Sequence, residues 1–316
     1  MKKIRVGVIG VGYLGRFHAE KYAGLPNVEL AAVSDCDLLR ADDVAKRFNT
    51  EACRDAFSLI GRLDAVSIVV PTVLHYSIAR RFLDAGVHVL LEKPITATLE
   101  EADDLISIAE KKGVVFQVGH IERFNPAVAS VRSMLKAPRY MTSERMAPFT
   151  VRCTDVNVVL DLMIHDLDIV TDLAGAEPVE LSAAGASVIT KEIDAAAARI
   201  VFSNGCIADV SASRVSEDKK RMLRIFDGDD LYVADYQTQK ATHSRRASGP
   251  ACGFAASEIP TERRDTLLEE IKSFISSIES GRPPEVSGRA GRKALGLAQQ
   301  ITHNIQNGIF GFVSVK

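Results

Sequence analysis

The chain has 316 residues, 47% hydrophobic and 25% charged, with 39 Lys and Arg against 41 Asp and Glu. That length suggests two domains of ~100–200 residues, and the apolar content suffices for two cores, which argues against a disordered chain. A net charge of −2 leaves no electrostatic footprint for nucleic acid or for a membrane surface, so neither is expected as a partner.

The five cysteines, at 36, 53, 153, 206 and 252, are scattered and form no C-x-x-C pair. An odd number at wide spacing argues against a disulfide framework or a zinc site and suits reduced thiols in the cytoplasm. No metal is expected. The apolar start Ile4–Ile9 does not read as a signal peptide, because glycines at 7, 10, 12 and 15 break it and charges return at Arg16, Glu20 and Lys21. No run of ~18 apolar residues offers a membrane span.

In chain order, Ile4–Ile9 reads as a strand, 14–23 as a helix, Val28–Ser34 as a strand and 37–48 as a helix. Strands follow at 65–70, 88–91 and 114–118, with helices at 74–85 and 98–112; Thr98 and Glu101 have capping-box spacing. Strands apolar throughout and separated by helices predict a parallel sheet covered on both faces, a doubly wound Rossmann arrangement within an α/β chain. After Gly119 the rhythm changes. A strand at 139–145 and an apolar helix at 156–174 precede strands at 179–189, 196–202, 205–213, 221–226 and 230–235. Residues 237–262 are polar and weakly patterned and read as a loop; helices at 265–280 and 288–307 follow. Strands then helices predict an α+β second domain. The expected division is 1–121, a dinucleotide-binding Rossmann domain, and 122–316, a domain for substrate and oligomer contacts.

Gly10-Val11-Gly12-Tyr13-Leu14-Gly15 fits G-x-G-x-x-G directly after a strand and at the start of a helix. The first glycine makes the turn, the second lets a pyrophosphate approach, and the third lets helix and strand pack. Asp35, 25 residues after Gly10, ends the second strand. An acid there accepts from ribose hydroxyls and repels a 2′-phosphate, which favours NAD; nearby Arg40 is the feature that would suit NADP. Asp37 is a candidate N-cap.

Glu92-Lys93-Pro94 stands at the carboxyl end of a strand, where open α/β sheets bind ligands. Lys93 there either orients a hydroxyl and moves protons or is a surface lysine before a proline. Asp161 and His165, four apart in the most apolar helix, would share a helix face, with Asp168 three residues on. A carboxylate-held histidine is either a general base or a structural pair. The segment Gln117–Pro126 brings His120, Arg123 and Asn125 to the expected domain junction, as substrate contacts or as a solvated hinge. Arg214, Lys219, Lys220, Arg221 and Arg224 form a basic cluster that reads as a protected sheet edge or as a contact for a substrate diphosphate.

The order of these motifs resembles the Gfo/Idh/MocA oxidoreductase family over essentially the whole chain. The carriers are Gly10–Gly15, Asp35, Pro71-Thr72 with His75, Glu92-Lys93-Pro94, and Asp161 with His165. The resemblance implies a Rossmann domain followed by an α+β domain with a large, mostly antiparallel sheet that makes dimer or tetramer contacts. It implies that Lys93, Asp161 and His165 fall on the family's catalytic lysine, aspartate and histidine, and that Pro71, Thr72 and His75 border the cofactor. Three stretches, Val118–Val128, Asp161–Ile169 and Ser213–Arg221, resemble the family's nucleotide-sugar branch, which oxidises the 3-hydroxyl of UDP-N-acetylglucosamine and related substrates. The expected activity is therefore hydride transfer from a sugar hydroxyl to NAD. Oxidation of an inositol or a free sugar, a catalytically silent NAD-binding regulator, and an NADP-dependent reductase of another carbonyl compound remain as alternatives.

Overall fold

The computed structural model describes residues 3–150, 156–246, 254–309 and 311–315. Cys153 and Cys252 lie outside the described residues. The chain divides into two compact units, the first made of 1–121 and 265–292, the second of 122–264 and 293–316.

The first unit holds strands β1 (Ile4–Ile9), β2 (Val28–Ser34), β3 (Glu51–Cys53), β4 (Ala65–Ile68), β5 (His88–Glu92) and β6 (Phe116–Gly119). They form one sheet in the order β3-β2-β1-β4-β5-β6, and every pair is parallel. Helices α1 (Gly15–Ala23), α2 (Leu38–Phe48), α3 (His75–Asp84) and α4 (Leu99–Lys112) make the crossovers. The order reverses between β1 and β4, which opens a crevice at the carboxyl ends of the strands. Local chemistry sets the helix bounds. Asp37 caps α2, and Thr98 with Glu101 closes a capping box on α4, which ends at Gly113 in the left-handed region. The core joins Val6, Val8, Val33 and Leu90 of the sheet to Ala19 and Tyr22 of α1.

One expectation is corrected here. The C-terminal domain is not continuous: residues 265–292 return to the first unit. They carry α7 (Thr266–Ser280), whose Leu267, Ile271, Phe274 and Ile275 belong to the core of the first unit. Val118 then donates its backbone N–H to the carbonyl of Val286, which extends the sheet edge beyond β6.

The second unit contains α5 (Pro126–Arg132), β7 (Tyr140–Met146), α6 (Ile164–Ala174) and strands β8 (Pro178–Ala186), β9 (Ala195–Phe202), β10 (Ile207–Ser213), β11 (Lys220–Asp227) and β12 (Asp230–Asp235). β13 (Lys240–Arg246) and β14 (Phe254–Ile259) occupy the stretch expected to be loop. In β13 only Ala241 and Ser244 are buried, so the strand is held by its backbone ladder to β12 and lacks the apolar alternation that marks a strand in sequence. With β15 (Val313–Ser314), these strands form a nine-stranded sheet, β14-β13-β12-β11-β7-β10-β9-β8-β15, antiparallel except for β7 with β10. One face packs on α5, α6 and the later part of α8 (Gly288–Gln306) through Ile200, Val210, Leu223, Ile164 and Leu297. β11 lies between β12 and β7, so the basic cluster around Arg221 does not guard a sheet edge.

Candidate active site

The glycine loop follows from hard sterics. Gly10 has φ +84°, and a Cβ there would sit 2.3 Å from the Val69 carbonyl oxygen. A Cβ on Gly15 would fall 1.8 Å from the Gly10 oxygen, whereas one on Gly12 meets no protein atom within 4 Å. The first and third glycines thus serve the protein's own packing, and the second leaves backbone open to a ligand. Asp35 is buried and braces this loop: its Oδ2 accepts from the Val11 N–H at 2.9 Å and its Oδ1 from the Asp37 N–H at 2.9 Å. Arg40 reaches the same Oδ1 at 3.5 Å. The acid expected to meet ribose therefore also fixes the turn that would receive the phosphates.

Helix ends tell the same story. α2, α4, α5 and α7 begin with a side-chain cap from Asp37, Thr98, Asn125 and Asp265. α1 and α3, which start at the carboxyl edge after β1 and β4, have none. The Arg16 and Phe17 N–H groups already meet the Gly12 and Leu14 carbonyls, and the His75 N–H meets that of Thr72, so what these ends offer an anionic ligand is the helix dipole and the backbone at Gly12. Tyr13, Leu14, Val73 and Leu74, in the segments after β1 and β4, and Leu38 and Leu39, in the first turn of α2, are exposed apolar side chains suited to flat aromatic rings. Open backbone at Gly12, an acid at the end of β2, uncapped helices and apolar loop walls together fit a dinucleotide.

The Lys93 turn is tied to this edge by His75. One ring nitrogen lies 2.8 Å from the Pro94 carbonyl oxygen and the other 2.9 Å from that of Val70. Burial holds the imidazole pKa below its ordinary value against the pull of the two carbonyls, and a neutral ring can donate to only one of them, so the loops after β4 and β5 are joined through one hydrogen bond and one close contact. Pro71 is exposed and Thr72 half-buried on the same loop, and Glu92, Lys93 and Pro94 are half-buried.

In the second unit, residues 159–163 form a π-helical turn that leads into α6, with the Ile164 N–H bonded to the Val159 carbonyl. Such turns widen the helix locally and recur at functional sites. Asp161 lies in this turn and His165 in the first turn of α6, both half-buried. Asp168, which spacing put near His165, is committed elsewhere: Arg123 donates Nε and Nη2 to it at 2.6 and 2.8 Å. The third guanidinium nitrogen of Arg123 pairs with Asp172 at 2.6 Å. Asn125 is buried, caps α5 through the Ala127 N–H and donates to Glu122 and to the Tyr236 carbonyl. His120, in the first unit, is also buried.

Sequence reasoning missed a second buried network here. Arg145 is 2% exposed and donates to Asp166, with Glu122 accepting from it at 3.0 Å. Arg221 approaches Glu122 at 3.6 Å, and burial together with Arg145 lowers its pKa. The basic cluster is otherwise largely paired: Arg214 with Asp194, and Lys220 and Arg224 with Glu144. An arginine on the buried side of an alternating strand, as in β7, was the available signal. Among the described residues no group of His, Cys, Asp and Glu is arranged to hold a metal ion, and no helix is long and apolar enough to cross a membrane.

A doubly wound parallel sheet with a braced glycine loop and a lysine turn at its carboxyl edge defines a dinucleotide-dependent oxidoreductase fold. Family models agree: residues 4–120 match the Gfo/Idh/MocA oxidoreductase family with its NAD-binding Rossmann fold, and residues 129–230 match the Gfo/Idh/MocA C-terminal domain. The chain is 41% identical, over 95% of its length and 97% of the relative's, to UDP-N-acetylglucosamine 3-dehydrogenase of Acidithiobacillus ferrooxidans. A solved structure of that enzyme superposes with a TM-score of 0.92 at 40% identity, covering 97% of this chain and 99% of the other. Myo-inositol 2-dehydrogenase of Thermotoga maritima is 28% identical over 96% of both chains. This chain belongs to the Gfo/Idh/MocA oxidoreductase family, and its Rossmann unit is an NAD-binding one.

Proposed function

We propose that the protein oxidises a secondary hydroxyl of a nucleotide sugar to a ketone, with the 3-hydroxyl of UDP-N-acetylglucosamine as substrate. The observation that carries this reading is the full-length match, at 41% identity, to an enzyme named for that reaction. NAD, when bound, supplies the hydride acceptor. In this reading Lys93 and His165 serve the reacting hydroxyl, one removing its proton and the other holding its oxygen, and Asp161 orients His165. Arg123 and Asn125, expected as substrate contacts, act in this reading through the wall they build, because their polar atoms have internal partners. Arg221 is the better candidate for the substrate diphosphate: burial beside Arg145 disfavours its charge, and an anionic group would relieve that cost. The exposed face of the nine-stranded sheet is assigned to contact with a second copy of the chain, and the reaction to the cytoplasm.

The test is NADH formation with UDP-N-acetylglucosamine, set against inositols and free sugars. Lys93→Ala and His165→Ala should each keep NAD affinity and lose ~100- to 10,000-fold in turnover. The double variant should lose far less than the product of the two losses, because groups serving one proton transfer act as a unit. Normal turnover in both single variants would sink the assignment.

A further inference from the structure

A polar stripe crosses the otherwise apolar sheet of the first unit. Ser67, Leu90 and Gln117 are register partners on β4, β5 and β6, and Glu92 and Gly119 are partners two residues further on, so all five point to one face. A Cβ on Gly119 would lie 3.0 Å from both Glu92 carboxylate oxygens, which shows the carboxylate lying over that glycine. Helix α1 brings His18 and Tyr22 to this face, and α7 brings Glu270, whose carbonyl accepts from Gln117 Nε2 at 3.2 Å. Ser67, His18, Tyr22, Gln117 and Glu270 are all completely buried.

The protons in this cluster can be counted. Tyr22 OH lies 2.7 Å from Ser67 Oγ, Ser67 Oγ lies 3.2 Å from His18 Nδ1, and His18 Nε2 lies 3.2 Å from Glu92 Oε1. One direction fits the first two contacts: tyrosine donates to serine and serine to Nδ1, which leaves the ring proton on Nε2, 3.2 Å from Glu92 Oε1 but without hydrogen-bond geometry toward it. Glu270 stands apart, since neither of its oxygens meets a donor among the described residues. Gln117 Oε1, on the same face, likewise meets none. A buried carboxylate with no donor is costly, and a second negative charge nearby makes it more so. A carboxylic acid at Glu270 removes that charge and gains a donor where a buried acceptor lacks one.

We propose that Glu92 and Glu270 form a carboxyl pair holding one proton, carried by Glu270, with His18 beside the charge left on Glu92, so that the two carboxyl side chains are positioning residues for the turn presenting Lys93. Burial and the charge of Glu92 both hold the Glu270 carboxyl well above its ordinary range, in line with this. Other titratable groups facing the pair are Tyr22, whose phenol burial keeps protonated, and His75, which burial keeps neutral.

Two measurements test the pair without any substrate. Infrared difference spectra at neutral pH should show the carbonyl stretch of a protonated carboxyl in wild type and not in Glu270→Gln. Lys93 methylation by formaldehyde and borohydride, followed by mass spectrometry over pH, should begin about one pH unit lower in Glu92→Gln, a tenfold change in the lysine's protonation equilibrium. Glu92→Asp, which keeps the charge, should restore the wild-type profile. A missing band, or one that survives in Glu270→Gln, overturns the proton assignment. A Glu92→Gln methylation profile that superimposes on wild type overturns the positioning role. In turnover, which rests on the dehydrogenase reading, the pH profile of kcat/KM in Glu92→Gln should move in the same direction. If the wild type forms no NADH with any sugar tested, that reading falls while the two substrate-free measurements still judge the pair.

Discussion

Buried side chains of the first unit link its chemistry to its stability through protons. Glu270 in the folded chain is held above its ordinary value of 4.5, chiefly by burial and then by Glu92. The unfolded chain therefore gives up that proton at a lower pH than the folded one. The stabilising contribution is complete below the unfolded value and is lost as pH rises toward the folded value, at a slope of up to about 1.4 kcal/mol per pH unit. Glu270→Gln is neutral at every pH and escapes this loss. Its melting temperature relative to wild type should be constant in mild acid and should climb steadily above pH ~5. A difference that stays flat from acid to alkaline pH would show that Glu270 ionises as freely in the folded chain as in the unfolded one. His75 differs in kind, because both of its nitrogens meet backbone carbonyls and it acts as a tie between loops.

Elements differ in how openly the sequence announces them. The parallel strands were legible because they are buried on both sides and read as largely apolar runs, as in Val89–Leu91. The glycine loop was legible because each glycine answers a separate steric demand. β13 and β14 were not, since strands of limited burial near a sheet edge need no apolar period. Nor was the π-helical turn at 159–163, which depends on hydrogen-bond register and not on residue type. The segment after β6 was read for its polarity, yet much of that polarity is turned inward. Arg123 and Asp168 are both nearly buried and joined by two bonds, so the pair fastens the turn at 121–124 to α6. Stranding a buried charge outright typically costs ~3–5 kcal/mol; losing Asp168 costs less than that, because Arg123 keeps its contact with Asp172. Asp168→Ala should therefore lower the urea midpoint substantially while NAD affinity in the folded fraction stays near wild type. A stable Asp168→Ala protein would mean that the pair is dispensable to the second unit. Glu270 was hidden for a plain reason: a single acid in a helix gives no sign of which way it faces.

For the whole molecule, the bare face of the nine-stranded sheet sets the association state proposed above. Its outward positions carry small or paired side chains: Thr142, Ala184, Ala197 and Ser211, with Arg199 donating to Asp209 at 2.6 Å through two nitrogens and Tyr140 donating to the same carboxylate. Small residues and satisfied charges allow a flat face to pack closely on a copy of itself. Light scattering should give a multiple of the chain mass, and Ala197→Arg should reduce it without altering the circular dichroism spectrum. A wild-type monomer at working concentration would end that assignment. The return of residues 265–292 to the first unit bears on synthesis as well. Leu267, Ile271, Phe274 and Ile275 complete a core begun at Val6, so the dinucleotide-binding unit cannot close while the ribosome still holds its last helix. Strands β7 to β14 of the second sheet must emerge in between. During translation the apolar core residues that α7 would cover are the surface that a chaperone would have reason to shield.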